Sequence, residues 1–346
     1  MNKKLSIFAI VLIIIGLIGS IWSGFFSMPY FMNKLQSYEE QINKESIVLD
    51  EKININKLDI NTNYSSVIIS KSDSDNVIIK TSGLNESAQL KVNTKGKTLY
   101  VKEEYKDQRI DKIKSIDDFV NKLIEDAFSN NRNMIMIYIP QDVDFNINSD
   151  AGIINIEDDL FLNDFNYKTN AGQLSLPNEI KKLEKMNITS QSHVSLELAQ
   201  LLGIKNININ CSGANISSDK YNLEEIEKYL PQKITINADN MSEDSISINS
   251  SMPISKNLII NGYKTDVYLN LPLDRFKFKF DIKAYNGIEL NDFMSNIIND
   301  NHNKDDNYNE DENSETENIK EIKTIINKDE KVEYKIDISS SDLYFE

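Results

Sequence analysis

The acidic stretch near the C-terminus is the first place where residue types and spacing could do chemistry. Asp305, Asn307 and Asn309 stand at positions 1, 3 and 5 of a helix-flanked calcium loop. Position 6 of such a loop needs a glycine and position 12 a glutamate, but the chain has Glu310 and Thr316 there. Because the motif fails, we expect a solvated acidic loop, with weak and nonspecific binding of divalent cations as the alternative.

His193 is the second candidate, because Ser192 and Ser195 flank a residue that can act as a base. Neighbouring residues of a strand point to opposite faces, and a base also needs an orienting third group, so adjacency builds no catalytic triad. The other histidine, His302, lies in the acidic stretch, and Cys211 is the sole cysteine. We therefore expect no catalytic residue, cofactor or metal site, and we interpret His193 as structural.

A group of aspartates is the third candidate, for chemistry on polysaccharides: Asp150, Asp158, Asp159 and Asp164. Polysaccharide hydrolases and lyases need a carboxylate pair, or a calcium-acid cluster, beside a basic residue. The arginines are all distant in sequence: Arg109, Arg132 and Arg275. The sequence also has no P-loop, Rossmann, zinc-protease or nucleophile-elbow motif. We therefore expect that the protein is not an enzyme. A polysaccharide-active enzyme is the third of the functions that the sequence suggests, after two noncatalytic ones.

A repeat of 20 or 21 residues positions these candidates. In each copy two apolar residues stand seven and five positions before a turn residue. The copies are Phe145 and Ile147 before Gly152, Phe165 and Tyr167 before Gly172, Met186 and Ile188 before His193, and Phe280 and Ile282 before Gly287. Such a period predicts a solenoid, whose coils bury their apolar sides by stacking. Phe145, Phe165 and Phe280 should then line one common interior.

The turn residues of the repeat separate two strand-like runs in each copy. We expect them to be structural turns, with glycine supplying a positive φ at each corner. They are Gly152, Gly172, His193, Gly213, Gly262 and Gly287. Alternating apolar residues resume after most of them, as in Ile154 and Ile156. The pattern indicates an all-β coil.

One helix and one acidic segment interrupt the β pattern of residues 51–346. Apolar residues at helical spacing predict an amphipathic helix inserted over 108–129, which either packs over an edge or open end of the sheets or binds a partner. Residues 291–318 contain nine acids between Asp292 and Glu317 against one lysine, which predicts a disordered acidic loop.

The N-terminus predicts a membrane anchor. Residues 5–26 are uncharged and apolar, longer than the ~20 residues that cross a bilayer as a helix, and no clear cleavage site follows. Lys3 and Lys4 precede the segment, which places the tip, residues 1–4, in the cytoplasm and the body outside. We expect residues 27–50 to form an amphipathic juxtamembrane stalk, or alternatively to lie along the membrane surface. A cleaved signal peptide is the alternative, and it also exports the body.

The overall charge of the chain excludes some classes of binding partner. The net charge is -16, and an acidic surface repels nucleic acid and anionic lipid head groups. With one cysteine there is no internal disulfide. We therefore expect no nucleic-acid partner, and contact with the membrane through the N-terminal helix only.

The chain resembles the bacterial "putative adhesin" domain family of unknown function, which is related to head-GIN proteins. The resemblance rests on the anchor, on Ile137-Tyr138-Ile139-Pro140, and on two turn motifs. The motifs are Asn148-Ser149-Asp150-Ala151-Gly152-Ile153 and Lys168-Thr169-Asn170-Ala171-Gly172. It implies a right-handed β-solenoid on the outer face of the membrane, common in Gram-positive bacteria, and it carries over no catalytic residue.

Together these features predict a single-chain, all-β, right-handed solenoid with a single-pass transmembrane helix and an extracytoplasmic body. The predicted function is a noncatalytic, adhesin-like scaffold at the cell membrane that binds a cell-wall polymer or a surface protein along flat faces rich in Asn, Ser and Thr. An accessory component of envelope-stress signalling is the first alternative.

Overall fold

The computed structural model describes the β body and part of the stalk. The described residues are 28–37, 40, 43–83, 88–105, 115, 118–119, 133–218, 223–238, 244–302, 320–328 and 330–346. The predicted anchor at 5–26 and the tip lie outside them. Of the predicted helix at 108–129, only Ser115, Asp118 and Phe119 are described. Among the described residues, no helix has both the length and the apolar character needed to span a bilayer.

The described chain is mostly β. Its strands are β1 (Ser46–Glu51), β2 (Lys57–Thr62), β3 (Ser66–Lys71), β4 (Val77–Ser82), β5 (Ala88–Lys95), β6 (Thr98–Tyr105), β7 (Met134–Ile139), β8 (Val143–Ser149), β9 (Ile153–Ile156), β10 (Phe161–Thr169), β11 (Gln173–Ser175), β12 (Lys185–Ser190), β13 (Val194–Glu197), β14 (Asn206–Cys211), β15 (Ala214–Ser218), β16 (Lys233–Ala238), β17 (Ile246–Ser250), β18 (Asn257–Gly262), β19 (Val267–Asn270), β20 (Lys277–Glu289), β21 (Glu321–Ile325) and β22 (Glu333–Phe345). Helices are short: α1 (28–37), α2 (Leu198–Leu201), α3 (Leu223–Ile226), a 3-10 turn (Glu227–Tyr229) and α4 (Asp292–His302).

Successive strands alternate between two walls. The front wall has the order β5-β6-β2-β8-β10-β12-β14-β16-β18, and the back wall consists of β1-β4-β7-β3-β9-β11 and of β13-β15-β17-β19. The first part of β22 extends the front wall beside β18, and its last part extends the back wall beside β19. A front strand and the back strand that follows it form one rung, and neighbouring rungs pair mostly in parallel. The predicted stack of coils is therefore present.

The register of the front wall confirms the predicted common interior. Phe145 pairs with Phe165, and Phe165 with Met186, at the same level of adjacent rungs. The exposed fraction of the side chain is 1% for Phe145, 0% for Phe165 and 1% for Phe280. The rings of Phe145 and Phe165 lie 6.0 Å apart between centroids. Each such buried aromatic side chain contributes roughly 1.5–3 kcal/mol through removal from water.

The order of rungs departs from the order of the sequence at both ends of the stack. The rung of β2 and β3 lies between that of β6 and β7 and that of β8 and β9. At the other end, β22 inserts between the β18-β19 rung and β20. Antiparallel strands flank the stack: β5 lies beside β6, β4 beside β7, β1 beside β4, and β21 beside β20.

The corner glycines differ from the prediction in their backbone. The described glycines with positive φ are Gly83, Gly96 and Gly203, so no repeat-turn glycine uses that conformation. Gly152 and Gly172 instead allow close approach between rungs: a Cβ on Gly172 would lie 2.6 Å from the Gly152 carbonyl oxygen.

The corner at Gly213 uses a glycine for the same reason, and Gly287 lies at a corner inside the long strand β20. A Cβ on Gly213 would lie 2.6 Å from the Ser245 carbonyl oxygen of the next rung. The pairing of β20 with β22 shifts register between Ala284 and Gly287, at the level where β22 passes from the front wall to the back wall. Gly287 therefore lies where β20 turns the same corner without a break in the strand.

Two predicted boundaries also change. Strand β1 begins at Ser46, inside the predicted stalk, and pairs with β4, so the β body starts before residue 51. The predicted disordered loop at 291–318 begins with helix α4. The side chain of Asn291 accepts a hydrogen bond from the Met294 N–H at 3.0 Å, which caps this helix, and Met294 is buried. The acidic composition of residues 291–318 as a whole obscured the few apolar residues of this helix. Residues 303–319 lie outside the described residues.

The close approach of carbonyl to glycine predicts a graded cost for alanine at the corners. Gly213→Ala should lower the free energy of unfolding by about 1–3 kcal/mol, because the new methyl group meets the Ser245 carbonyl and the rungs must separate. Gly262→Ala is the matched control, since its nearest neighbour is the Thr265 Cβ at 3.3 Å. Denaturant unfolding measures both, and equal losses would contradict this account.

Candidate functional site

A ladder of amide and carboxylate side chains runs along the outer face of the front wall. We call it the polar ladder. Its longest row occupies one register position of five successive rungs: Asp59, Asn146, Asn166, Asn187 and Asn208. A second row holds Asn210, Asn237 and Asn261. Strands alternate their faces, so the apolar residues between these positions point inward and leave the outer face polar.

Hydrogen bonds connect several members of the polar ladder across neighbouring rungs. The Asn187 side chain donates to Asn166 Oδ1 at 2.7 Å, and Asn146 donates to Asp59 Oδ2 at 2.7 Å. In the second row Asn261 donates to Asn237 Oδ1 at 2.8 Å. A side-chain amide has two N–H donors and an oxygen that accepts twice, so one bond along the stack leaves further capacity. The half-exposed row therefore presents aligned donors and acceptors about 4.8 Å apart.

The back wall is interrupted between two successive rungs. Strand β11 pairs with β9 and β13 pairs with β15, and no described strand joins β11 to β13. The front strands of the same rungs, β10 and β12, remain paired. A cleft of about 370 Å³ opens at the interruption. We call it the rung cleft.

The rung cleft combines an apolar interior with polar groups. Its lining residues are Tyr167, Thr169, Gly172, Gln173, Leu174, Ile188, Ser190, His193, Val194, Ser195 and Leu196. None of them is an aspartate or a glutamate, so the cleft has no carboxylate pair for glycoside hydrolysis. Burial raises the pKa of Tyr167, which keeps its phenol a neutral donor, and its hydroxyl lies 3.4 Å from the Gln173 carbonyl oxygen.

The length of one corner explains the interruption. Leu174 follows Thr169 by five residues, whereas Leu196 follows Ser190, the partner of Thr169 in the front wall, by six. The extra residue falls in the corner that has His193 where the preceding corner has Gly172. Because His193 carries a Cβ, the Gly172 carbonyl cannot approach it as the Gly152 carbonyl approaches Gly172. This corner therefore lies farther from the preceding rung, and the backbone pairing of the back wall is interrupted between β11 and β13.

The family of the chain follows from a model that matches residues 55–344, which is the stacked body just described. The chain belongs to the Toastrack DUF4097 family. The resemblance to the "putative adhesin" family, inferred from the strand at Ile137–Pro140 and the turns at Gly152 and Gly172, is confirmed at this level. No curated protein sequence matches the chain.

Two crystal structures are similar to this Toastrack protein over 88% of its length and 99% of theirs. One is described as a putative cell adhesion protein from Clostridium sporogenes ATCC 15579, with 15% identity and a TM-score of 0.21. The other is described as a putative adhesin, BF0245, from Bacteroides fragilis NCTC 9343, with 12% identity and a TM-score of 0.32. Likenesses this distant leave the function of the Toastrack body to be argued from its own residues.

The four aspartates singled out in the sequence do not form one site. Asp150 is in a corner and accepts a hydrogen bond from the Asn170 side chain at 3.1 Å, and Asp158 accepts one from the Lys71 N–H at 2.6 Å. Asp164 is an exposed residue of β10. Within the described parts of the Toastrack body, no three His, Cys, Asp or Glu side chains come together as metal ligands.

His193 and Cys211 lie in different surroundings. His193 is exposed at the mouth of the rung cleft, with its ring against Gly213: a Cβ on Gly213 would lie 3.0 Å from Nδ1. Cys211 is buried, and burial raises the pKa of its thiol to about 12, so the reactive thiolate is absent at neutral pH.

A buried lysine is the feature that sequence reasoning missed. Lys181, between β11 and β12, is 1% exposed, and its Nζ donates to the carbonyl oxygens of Pro177 at 2.6 Å and Glu179 at 2.9 Å. Burial lowers its pKa to about 8, although the charges of Asp159 and Glu179 act in the opposite direction. Burial likewise raises the pKa of Asp159. In the sequence, Lys181 and Lys182 are a short basic cluster of the kind expected on a solvated surface, because neither periodicity nor spacing marks a lysine that folds back onto its own loop.

The loop that holds Lys181 also explains a glycine outside the repeat. The Lys181 N–H donates to the Leu202 carbonyl at 3.0 Å, and the Lys181 backbone passes so close to Gly203 that no Cβ fits there. Gly203 has a φ of 83°, which only glycine adopts readily. The side-chain amide of Gln200 donates to the Leu176 carbonyl at 3.3 Å, which bridges the chain that follows β13 to the chain that follows β11.

The buried ammonium predicts a specific pH dependence of stability. The pKa of Lys181 is lower in the folded state, about 8, than its ordinary value of 10.5, so the unfolded state binds more protons between these values. The Lys181 contribution to stability should therefore rise with pH from about 8 to about 10.5 and stay constant below that window. Unfolding titrations of the wild type and of Lys181→Met, compared as a difference, isolate this contribution from that of Cys211. Lys182→Met, at an exposed neighbour, is the control, and a flat difference for Lys181→Met would contradict the prediction.

Proposed function

We propose that this protein is a noncatalytic scaffold of the bacterial cell envelope that binds a wall polymer along the polar ladder. The observation that carries the proposal is the row of five side chains from Asp59 to Asn208, held in register by the stack. A polymer offers hydroxyl and amide groups at a regular repeat. A row of regularly spaced donors and acceptors can bind such groups at several rungs at once, which adds weak contacts into useful affinity.

The ladder also stabilises the stack, and the two roles are separable. Its bonds lie parallel to the stack axis, as in amide ladders between stacked strands, while the remaining donors and acceptors face outward. The acidic surface, with a net charge of -16, suits a neutral or cationic polymer better than a polyanion. A surface protein is the alternative partner, and it would use the same face.

The proposal includes a single-pass anchor at residues 5–26, a cytoplasmic tip and an extracytoplasmic right-handed solenoid. The support is the uncharged apolar run, the positive residues before it and the absence of a clear cleavage site. An anchor of this kind would hold a rod of stacked rungs close to the wall. This arrangement would bring the polar ladder within reach of the polymer.

Removing side-chain amides from the ladder should weaken binding to the wall. The double variant Asn187→Thr with Asn208→Thr keeps residues that favour strands but deletes two amides, and each lost hydrogen bond is worth ~1 kcal/mol. Sedimentation of the purified full chain with isolated cell walls should then show an affinity reduced by at least about tenfold.

The matched control is Asn155→Thr with Asn215→Thr, which changes the same residue type on strands of the back wall. Thermal unfolding of both double variants separates loss of binding from loss of stability. Equal binding by the two double variants would show that the polar ladder is not the binding site. Capture of a protein but no polymer would favour the surface-protein alternative.

The anchor makes a separate prediction. Deletion of residues 5–26 should release the chain from the membrane fraction or block its export, whereas the full chain should stay with membranes after alkaline carbonate washing. Extraction of the intact full chain by carbonate would contradict the single-pass anchor. A mature N-terminus located after residue 26 would identify the segment as a cleaved signal instead.

A further inference from the structure

The facing edges of the rung cleft present main-chain groups in the directions needed for strand pairing. The Gln173 N–H donates back to the Gly152 carbonyl, so the N–H and C=O of Leu174, the next residue, point to the opposite side. The Val194 N–H donates forward to the Gly213 carbonyl, so those of Ser195 point back toward β11. The two edges therefore face each other across the cleft with the polarity of a continuous sheet.

The lining suits a polypeptide strand. Leu174, Val194 and Leu196 are apolar and at least partly buried, while their strand neighbours Gln173 and Ser195 are exposed. This alternation calls for an occupant with one apolar side chain turned inward and polar side chains turned out. No lining residue carries a formal charge when His193 is neutral, so the cleft favours an uncharged segment.

The dimensions agree with a short segment. The cleft volume of about 370 Å³ lies within the range of ligand sites. The β11 edge is 3 residues long and the β13 edge is 4, which at roughly 3.3 Å per residue offers about 10 Å of pairing. Beyond these edges, the amide of Gln200 donates to the Leu176 carbonyl, which bridges the chain that follows β13 to the chain that follows β11.

We propose that the rung cleft between β11 and β13 binds an extended, uncharged polypeptide segment whose main chain pairs with the edges at Leu174 and Ser195. This is strand addition inside a stack rather than at its end. The site lies on the back wall, so it does not depend on the polar ladder of the front wall. Failure of either proposal leaves the other standing.

The test uses peptides that copy the strand with which β13 already pairs. The probe is a labelled, end-capped peptide with the sequence of Ala214–Ser218, and variants of it carry Val or Leu at the inward position. Fluorescence anisotropy with the full chain in detergent should show saturable binding with a Kd below about 1 mM. An N-methylated copy keeps the side chains but loses the donors, and it should bind at least about tenfold more weakly. Equal binding of the methylated copy, or no binding by any peptide, overturns the proposal.

Closing the corner provides the matched variant. Deletion of Ser192 with His193→Gly restores the five-residue corner length, so β11 and β13 should pair with each other. Peptide binding should then fall at least about tenfold, and unchanged binding overturns the proposal. Gln191→Ala alters an exposed residue of the same corner outside the lining and should leave binding intact.

Hydrogen exchange on the wild type makes the test independent of whether the deletion variant folds. The amide hydrogens of Leu174 and Ser195 should become protected from exchange when the peptide is added, since both N–H groups point into the cleft and would donate to the peptide main chain. Lack of protection despite binding would place the peptide elsewhere and overturn the proposal. Tetra-N-acetylchitotetraose is the sugar probe, and protection of these amides by it in preference to the peptides would assign the cleft to a glycan instead.

Discussion

The structure depends on backbone pairing between rungs that keep the same register. A residue that points inward in one rung lies at the level of an inward residue in the next, as Phe145, Phe165 and Met186 do. Because side chains alternate faces, the same register aligns the outward residues as well. The core and the polar ladder are therefore two consequences of one constraint, and a change of register would disturb both.

Corners limit how closely the rungs approach. A carbonyl of one rung passes over the corner glycine of the next, as the Gly152 carbonyl passes over Gly172, and a Cβ has no room there. Where the corner is longer and has His193 in place of glycine, the pairing of the back wall stops while that of the front wall continues. A single rung thus shows what the glycines do in the others, and it creates the one interruption seen between neighbouring back-wall strands of the described stack.

The sequence was sufficient to predict the features that repeat. The spacing of apolar residues before Gly152, Gly172 and His193 predicted which side chains share an interior, because local alternation determines which face a residue occupies. It could not predict that β22 inserts before β20, since two coils with similar apolar patterns are interchangeable in a stack until the long connection between them is known. The role of the corner glycines was misjudged for a related reason: close approach arises between rungs, while propensity describes a residue within its own turn.

The features most relevant to binding are those that the repeat does not dictate. Core positions tolerate few residue types, whereas the outward row is free to hold any polar residue compatible with a strand, yet it holds amides in four successive rungs from Asn146 to Asn208. Hydrogen bonding along the stack explains part of the preference for amides, since it satisfies one N–H donor where two stacked amides bond, as Asn187 and Asn166 do. The amide donors and acceptors that face outward do not contribute to the stability of the fold. Water hydrogen-bonds to them in the wild type, and it hydrogen-bonds to the threonine hydroxyl equally well in a threonine variant. Binding to the wall is the function that would use these outward donors and acceptors, and stability and binding can therefore be measured as separate properties of the same residues.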